Sequence, residues 1–429
     1  MSQITQLLKQ HRRNLHTYPE TAWTEFQTTW YIYQQLMALP FKLRLGKEIL
    51  NEAFVLNRDE EEVKSSTKRA LNNGVPKEFI HILDEFTGVM ATFETHKSGP
   101  TFVLRFDIDA LPIQETEDAQ HLPNLLGFRS RHDNCMHACG HDSHTAMLLG
   151  AARLLQDSRD LFSGTVRLMF QPAEETGKET RTLIDHGMLD RVDTVFALHV
   201  EPDLPSGNIC ILPGPCMAGV DDFSIRLTSP GGHGATPHLG SDTLLAGAHL
   251  AINLQQIISR EIDPQKPAVL TIGVFQAGTK VNLLAQEAVL SGNIRFFDKE
   301  LSDYFKESLT RYSAHTASMF RCSFEVTYTP SLLPTVNDAA CCGTAKRAAL
   351  TVWGKDNLVE RPASMTSEDF SRYLEAVPGV MVFLGTSDGT RKTSWPLHHE
   401  CFDLDESALL NGSRLYAAYA LEWLNEHVV

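Results

Sequence analysis

Short apolar runs alternate along most of the chain with longer segments in which apolar side chains recur every three or four residues. The short runs have the length and composition of buried strands, and the longer segments have the period of amphipathic helices. This pattern predicts strands over Val89 to Glu94, Thr101 to Phe106, Thr165 to Phe170, Thr194 to Val200 and Val380 to Gly385. Strands that alternate with helices in this way are typical of an α/β fold with a mostly parallel sheet and helices on both faces.

The helical period predicts helices over Gln3 to Leu15, Glu25 to Met37, Thr145 to Leu155 and Glu406 to Leu424. Ser143 is the expected cap of the third of these helices. The segment from Lys47 to Glu85 is rich in charged residues, and we interpret it as an insertion of one or two helices with a solvated, charged face.

The pattern changes between Ala218 and Thr329, where the elements follow the order β-α-β-β-α-β of a ferredoxin-like α+β domain. The predicted ranges are Val220 to Thr228, Asp242 to Ile258, Ala268 to Phe275, Glu287 to Phe296, Leu301 to Met319 and Ser323 to Thr329. Proline-rich stretches border this segment. We therefore expect a first domain over residues 1–216, an inserted ferredoxin-like domain over 217–331, and the rest of the first domain over 332–429.

The charge and composition of the chain exclude several classes of partner. A formal net charge of −15 argues against binding to nucleic acid. No apolar run approaches the ~20 residues of a membrane helix, so no membrane partner is expected. The first residues lack the apolar centre of a secretory signal, and the eight cysteines are scattered. A cytoplasmic protein with reduced thiols is therefore expected.

Potential metal ligands are concentrated between His137 and His144, where one cysteine, three histidines and one aspartate occupy eight residues. Gly140 lets the backbone turn tightly enough for Cys139 and His141 to reach one point. An isolated Cys-x-His pair is usually accidental, but polar side chains also follow other predicted strands. These are Asp107 and Asp109, Glu174 and Glu175, His199, and His398 and His399. Because ligands collect beyond the carboxyl ends of parallel strands, we expect these residues to share one site.

Five of these side chains are candidate metal ligands, namely Cys139, His141, Glu175, His199 and His398. They exceed the four ligands of a tetrahedral zinc site, and carboxylates with imidazoles suit two divalent cations that activate a shared water. Hydrolysis is the chemistry that such a site favours. His399 remains an alternative to His398, because the sequence does not show which of the two faces inward.

The adjacent residues Glu174 and Glu175 are expected to have different roles. A pair of glutamates is more often a solvated turn, but this pair follows Pro172 and a buried strand. Neighbouring side chains point in different directions, so we assign Glu175 to a metal and Glu174 to proton transfer as general base. Asp109 is expected to orient a metal ligand by a hydrogen bond without binding the metal itself. His137 and His144 are expected to support the ligands in the same way.

The predicted ferredoxin-like domain carries three further candidates. His233 lies in a glycine-rich loop, which is either a simple strand-to-helix turn or a donor that stabilises the oxyanion of a tetrahedral intermediate. Asn282 and Arg295 lie near strand ends, and the guanidinium of Arg295 is a candidate clamp for a substrate carboxylate.

Four motifs resemble those of the metal-dependent amidohydrolases related to aminoacylase, hippurate hydrolase, indoleacetyl-amino-acid hydrolase and the glutamate carboxypeptidases. They are Met136-His137-Ala138-Cys139-Gly140-His141-Asp142-x-His144-Thr145-Ala146, Phe170-Gln171-Pro172-Ala173-Glu174-Glu175, Gly231-Gly232-His233 and Leu397-His398. The resemblance implies a dinuclear hydrolase of N-acyl amino acids that uses zinc or manganese, with the five ligands above and Glu174 as base. It also implies that the small domain is a lid through which two copies of the chain form a homodimer. In such a dimer His233 would reach the active site of the partner subunit.

The charged segment most resembles the p-aminobenzoyl-glutamate hydrolase branch, which implies an N-aroyl or N-acyl glutamate or aspartate as substrate. Two other hypotheses remain open. One is a non-catalytic or regulatory subunit of a heteromeric amidohydrolase, which the presence of Glu174 and of every ligand disfavours. The other is a hydrolase with Cys139 as nucleophile, which a chelator would not inhibit.

Overall fold

The structure, a computed structural model, describes residues 2–95, 97–177 and 180–427. The helices are α1 (Ser2–Thr17), α2 (Phe26–Leu36), α3 (Glu60–Asn72), α4 (Lys77–Leu83), α5 (Leu122–Leu126), α6 (His141–Asp157), α7 (Thr180–Ile184), α8 (Thr243–Gln256), α9 (Glu300–Phe320), α10 (Ala339–Trp353), α11 (Ser371–Ala376) and α12 (Ala408–Glu426). The strands are β1 (Lys42–Leu45), β2 (Val89–Glu94), β3 (Thr101–Asp107), β4 (Thr165–Gln171), β5 (Thr194–Pro205), β6 (Ile209–Cys210), β7 (Gly214–Met217), β8 (Gly219–Thr228), β9 (Gly232–His233), β10 (Ala268–Ala277), β11 (Leu283–Leu284), β12 (Glu287–Phe296), β13 (Ser323–Leu332), β14 (Thr335–Asn337), β15 (Leu358–Val359) and β16 (Gly379–Ser387). Among the described helices, none has both the length and the hydrophobicity that crossing a membrane would require.

Contacts between residues divide the chain into two compact units. The larger unit comprises Met1–Gly214, Val336–Pro362 and Arg372–Val429, and the smaller unit comprises Pro215–Thr335 and Ala363–Ser371. The contacts therefore group residues 363–371 with the smaller unit, whereas the predicted boundaries left them in the first domain.

The larger unit is built on an eight-stranded mixed sheet of order β1-β2-β4-β3-β5-β16-β6-β15. Strands β4, β3, β5 and β16 run parallel to one another in its centre. Strand β2 pairs antiparallel with β4 and with β1 on one side, and β6 pairs antiparallel with β16 on the other. Nearly every residue of β3, β4 and β16 is buried, as expected for strands covered on both faces of a sheet. The predicted α/β fold with a mostly parallel sheet is confirmed.

The parallel strands bring their carboxyl ends to one edge of this sheet. Asp107, the last residue of β3, pairs with Gln171, the last residue of β4. Arg105 of β3 pairs with Ala197 of β5, so Asp107 and His199 each lie two residues beyond that pair. The polar side chains that follow the predicted strands therefore do meet at one edge.

The smaller unit has the predicted order β8-α8-β10-β12-α9-β13 and an antiparallel sheet of order β10-β12-β8-β13. These connections are those of a ferredoxin-like domain, which confirms the prediction. The unit has its own core, which includes Ile225, Leu250, Leu290 and Phe305. A short ribbon of β9 and β11 adds to this plan.

Helix α6 corrects one detail of the sequence prediction. It begins at His141 instead of Thr145, and Gly140 occupies the cap position that was expected for Ser143. The residues from His141 to His144 are polar and yet buried, so the apolar period does not extend over them. The charged segment from Lys47 to Glu85, in contrast, contains the helices α3 and α4, within the one or two that we predicted; each buries an apolar face and exposes most of its charged residues.

Candidate metal centre

The tight turn before α6 places Cys139 and His141 side by side. Gly140 has φ +84°, a left-handed conformation that favours glycine. A Cβ atom at this position would lie 2.4 Å from Cγ2 of Val200. A side chain there would therefore collide with β5, the strand that carries His199.

Two groups of potential ligand atoms share Cys139. Cys139, His141 and His199 form a buried group, and Cys139, Glu175 and His398 form a second group, with the ligand atoms of each group within 4.8 Å of one another. Within them, Cys139 Sγ lies 3.5 Å from His199 Nε2, and His398 Nε2 lies 3.5 Å from Glu175 Oε1. The structure thus brings together all five of the predicted metal ligands.

The donor set and its spacing fit divalent cations. Ligand atoms at zinc lie about 2.0–2.3 Å from the ion, so the ligand atoms of a tetrahedral site are roughly 3.3–3.8 Å apart. The two separations of 3.5 Å fall in this range. His141 Nε2 and Glu175 Oε1 are buried, 3.7 Å apart and without a hydrogen bond. Buried polar atoms of this kind are costly unless they bind something.

Hydrogen bonds to the protein backbone fix the orientation of two imidazole rings. Nδ1 of His141 donates to the carbonyl oxygen of Asp109 at 2.9 Å, and Nδ1 of His199 donates to the carbonyl oxygen of Val200 at 2.7 Å. Each ring therefore directs its Nε2 towards the shared cysteine. This arrangement is common for histidines that bind metals, because it fixes both the tautomer and the ring direction.

The carboxylates around His141 stabilise positive charge at this site. Burial opposes protonation of the imidazole, but Asp107, Asp109 and Glu175 outweigh this effect and raise the pKa of His141 to about 10. Burial also raises the pKa of Glu175. The carboxylates that surround His141 thus give this buried cluster negative charge, which a cation would neutralise.

Glu174 and Glu175 lie in a short 3₁₀ turn directly after β4. Glu175 Oε1 lies 3.7 Å and Glu174 Oε2 lies 4.0 Å from His141 Nε2. Of the two, Glu175 also belongs to the group with Cys139 and His398. The separate roles assigned to these carboxylates remain predictions, and this asymmetry agrees with them.

The structure distinguishes between the two adjacent histidines of the C-terminal motif. His398 joins the ligand group with Cys139 and Glu175. The ring of His399 instead stacks on Trp395 at 4.3 Å, and its Nδ1 accepts a hydrogen bond from the backbone N–H of Cys401. His398 is therefore the histidine that faces the centre.

His144 and Asp107 form a hydrogen-bonded pair next to the candidate metal ligands. Asp107 Oδ1 accepts a hydrogen bond from His144 Nδ1 at 2.7 Å, and Asp107 Oδ2 accepts one from Arg105 at 3.0 Å. Nε2 of His144 accepts a hydrogen bond from the backbone N–H of Val200. Both ring nitrogens of His144 are thus engaged. Arg105 was not among the residues predicted from the sequence, although a charged residue inside the apolar strand β3 was an available signal.

Asp109 binds the backbone on both sides of the site. Its carbonyl oxygen accepts from His141, and its Oδ2 accepts from the backbone N–H of Glu175 at 3.0 Å. It therefore orients the first turn of α6 and the glutamate turn together. His137 is buried and lies outside the ligand groups found among the described residues.

The remaining candidates belong to the smaller unit. His233 and Asn282 lie together at the β9–β11 ribbon, where the backbone N–H of Gly234 donates to the carbonyl oxygen of Asn282 at 2.9 Å. Both side chains are exposed. Arg295 lies on β12, and its Nη1 donates to the carbonyl oxygen of Met365 and to Ser367 Oγ. Its role as a carboxylate clamp remains a prediction.

Comparisons with known proteins agree on one family. The model of peptidase family M20/M25/M40 matches residues 103–422. N-acetyl-L-cysteine deacetylase of Bacillus subtilis is 35% identical over 402 residues, which cover 94% of this chain and 84% of the relative. The crystal structure of a dinuclear metal-binding M20 peptidase from Bacillus subtilis superposes with a TM-score of 0.80 at 32% identity and covers 100% of both chains. An aminobenzoyl-glutamate utilization protein from Klebsiella pneumoniae has a TM-score of 0.71 at 25% identity and covers 98% of this chain and 97% of its own.

Proposed function

Since the chain belongs to peptidase family M20/M25/M40 and is a metal-dependent hydrolase of amide bonds, we propose that it acts on a particular class of amides. The proposed substrates are N-acyl amino acids. The observation that carries the proposal is the pair of ligand groups that share Cys139 at the carboxyl edge of the parallel sheet. A relative that is 35% identical is named for the deacetylation of N-acetyl-L-cysteine, which is a reaction of this class.

The centre is proposed to hold two cations, zinc or manganese. Cys139, His141 and His199 would hold one, and Cys139, Glu175 and His398 would hold the other. Two bound cations supply Lewis acidity for the amide carbonyl and lower the pKa of water towards neutrality. A thiolate ligand favours zinc, whereas the carboxylate and imidazole ligands also suit manganese.

Glu174 is proposed to transfer the proton. Its carboxylate takes the proton from the attacking water and returns it to the departing amine, so that the amine leaves as a neutral group. Position supports this role, because Glu174 Oε2 lies 4.0 Å from His141 Nε2, within the carboxylate-rich cluster.

His233 is proposed to donate a hydrogen bond to the oxyanion. Its Nδ1 accepts from the backbone N–H of Ala235 at 3.0 Å, so the neutral ring carries its proton on Nε2. A neutral imidazole with Nε2–H is a suitable donor to a carbonyl oxygen that gains negative charge. By resemblance to the family, the carbonyl belongs to a substrate in the partner's site.

For the amino-acid part of the substrate, we propose glutamate or aspartate, with p-aminobenzoyl-glutamate as one candidate. The support is the charged segment with helices α3 and α4 and the similarity to a protein of aminobenzoyl-glutamate utilization. A panel of N-acetyl, N-benzoyl and p-aminobenzoyl derivatives of glutamate, aspartate, cysteine and leucine tests it. The acidic derivatives should have the highest kcat/KM, and equal values across the panel would contradict this preference.

Removal of metal should abolish hydrolysis. We expect two metal ions per chain before chelation, none after chelation and gel filtration, and recovery of activity when Zn²⁺ or Mn²⁺ is added back. Cys139→Ala should lose metal, whereas Cys135→Ala should retain it, because Cys135 is a buried thiol that lies outside the ligand groups found among the described residues. Full activity in metal-free enzyme would instead indicate Cys139 as a nucleophile.

We also propose that two copies of the chain associate through β10, an edge strand of the smaller unit's sheet. This strand exposes Val269, Val274 and Phe275, and an exposed apolar edge strand favours pairing with another chain. Phe275→Asp should convert a dimer into a monomer in light-scattering measurements. Phe324→Asp is the matched control on β13, the opposite edge of that sheet, and it should remain dimeric. A dimeric Phe275→Asp variant would contradict this interface.

A further inference from the structure

The turn that carries Glu174 and Glu175 contains a residue in an unfavourable backbone conformation. Ala173 has φ +59° and ψ +35°, in the left-handed region that residues with a Cβ atom rarely adopt. Such a conformation persists only where the surrounding structure holds it. The turn also sets the direction of both glutamates, since Glu174 follows Ala173 directly.

The buried carboxyl group of Glu25 contacts this residue. Glu25 Oε1 accepts a hydrogen bond from the backbone N–H of Ala173 at 2.9 Å, and Glu25 Oε2 accepts one from Thr87 Oγ1 at 2.6 Å. Glu25 is fully buried. It occupies the cap position of α2, but its side chain makes no capping hydrogen bond to that helix. The carboxylate is therefore directed at the glutamate turn, which lies 148 residues away in the sequence.

A second carboxylate binds the same turn on the other side of Glu174. Asp109 Oδ2 accepts from the backbone N–H of Glu175 at 3.0 Å. The N–H groups of residues 173 and 175 are thus each held by a buried carboxylate, and the residue between them is Glu174. The two contacts hold the backbone of the turn, and the side chains of Glu174 and Glu175 take no part in them.

We propose that Glu25 is a positioning residue, whose carboxylate holds Ala173 in the left-handed conformation and so directs Glu174 and Glu175 at the metal centre. The inference rests on the roles proposed for those two glutamates. It adds a residue from the N-terminal segment of the chain, outside the part that the family model matches.

The chain offers a matched control in Glu20. This glutamate is also fully buried, and both of its oxygens accept hydrogen bonds from backbone N–H groups, from Gln27 at 3.1 Å and from Thr28 at 2.8 Å. These contacts bind the first turn of α2 and do not touch the glutamate turn. Loss of Glu20 should therefore lower stability, as loss of Glu25 does, without disturbing Glu174.

The test compares Glu25→Ala, Glu25→Gln and Glu20→Ala in the metal-loaded enzyme. Glu25→Ala should reduce kcat about 10–100-fold, the range seen when the partners of catalytic or metal-binding groups are removed, with KM nearly unchanged. Glu25→Gln keeps an oxygen for the N–H of Ala173 and should restore most of kcat. Glu20→Ala should keep kcat within about twofold of the native value at a similar loss of Tm, because a purely structural change leaves the folded fraction competent.

If Glu25→Ala does not fold, Glu25→Asp decides the question. It keeps a buried carboxylate but is one methylene too short to reach both Ala173 and Thr87, and its kcat should also fall. Native kcat in Glu25→Ala or Glu25→Asp, or an equal loss in Glu20→Ala, would overturn the proposal. Glu174→Gln is measured alongside, and full activity in that variant would refute the proposed function of the turn instead.

Discussion

Glu174→Gln should retain its metal and the native fold and yet hydrolyse N-acyl amino acids about 10²–10⁴-fold more slowly, the usual contribution of a general base. The amide of glutamine has nearly the same size and can still accept one hydrogen bond, so the turn from Ala173 to Gly177 should keep its shape. What is lost is a group that can accept a proton from water and return it to the leaving amine. The measurement is kcat under substrate saturation, together with metal content after gel filtration.

Glu175→Gln is the matched control for this prediction. The two glutamates are adjacent and both approach His141, but Glu175 also belongs to the ligand group with Cys139 and His398. Its replacement should therefore lower the metal content, and added metal should restore part of the activity. If Glu174→Gln lost metal and Glu175→Gln kept it, the two roles would have to be exchanged. Native turnover in Glu174→Gln would remove the general-base assignment altogether.

The strands could be predicted from the sequence where apolar residues alternate with polar ones or form an unbroken run, because these patterns follow the burial of side chains in a sheet. Strand β12 was predicted over its observed range, Glu287–Phe296, because its inward residues alternate with outward ones and turns border it. Helix α6 shows the limit of this reasoning. Its first residues, from His141 to His144, are polar and buried, and the predicted helix began only after them. A pattern that equates polar with exposed cannot include them in a helix.

The ligand candidates could be predicted because their residue types rarely occur together. Asp109 and His144 could be predicted as supporting residues because Asp109 follows a predicted strand and His144 lies close to two of the ligands in the sequence. Cys139 and His141 lie two positions apart, and the other ligand candidates follow strands that the apolar pattern already predicts. Glu25 carries no such mark, because its role depends on a partner that only the fold brings near. Glu25 contacts Ala173, which lies 148 residues away in the sequence. No local period or spacing encodes contacts of that kind.

Arg12→Met should destabilise the larger unit by about 3–5 kcal/mol, because it leaves buried carboxylates without their partner. Arg12 is fully buried in α1. Its Nε donates to Asp142 at 3.2 Å, and its Nη2 donates to Asp403. Burial opposes the charge of the guanidinium, but Asp403, Asp142 and Glu406 outweigh this effect and raise its pKa. Asp142 lies next to His141 at the start of α6, so the arginine also joins the metal-binding helix to the C-terminal segment.

The adjacent Arg13→Met provides the control for this change. Arg13 makes two good hydrogen bonds to Glu406, at 2.8 and 2.7 Å, but a third of its side chain is exposed. Water can replace the arginine there, so the loss should be about 0–1 kcal/mol. Urea denaturation of the two variants, followed by the fluorescence of Trp23 and the other tryptophans, measures both values. Equal losses would show that the energy resides in α1 packing rather than in the buried charges. If only Arg12→Met loses stability, in contrast, the lost free energy of unfolding belongs to the contacts of Arg12 with Asp142 and Asp403, which are buried away from water.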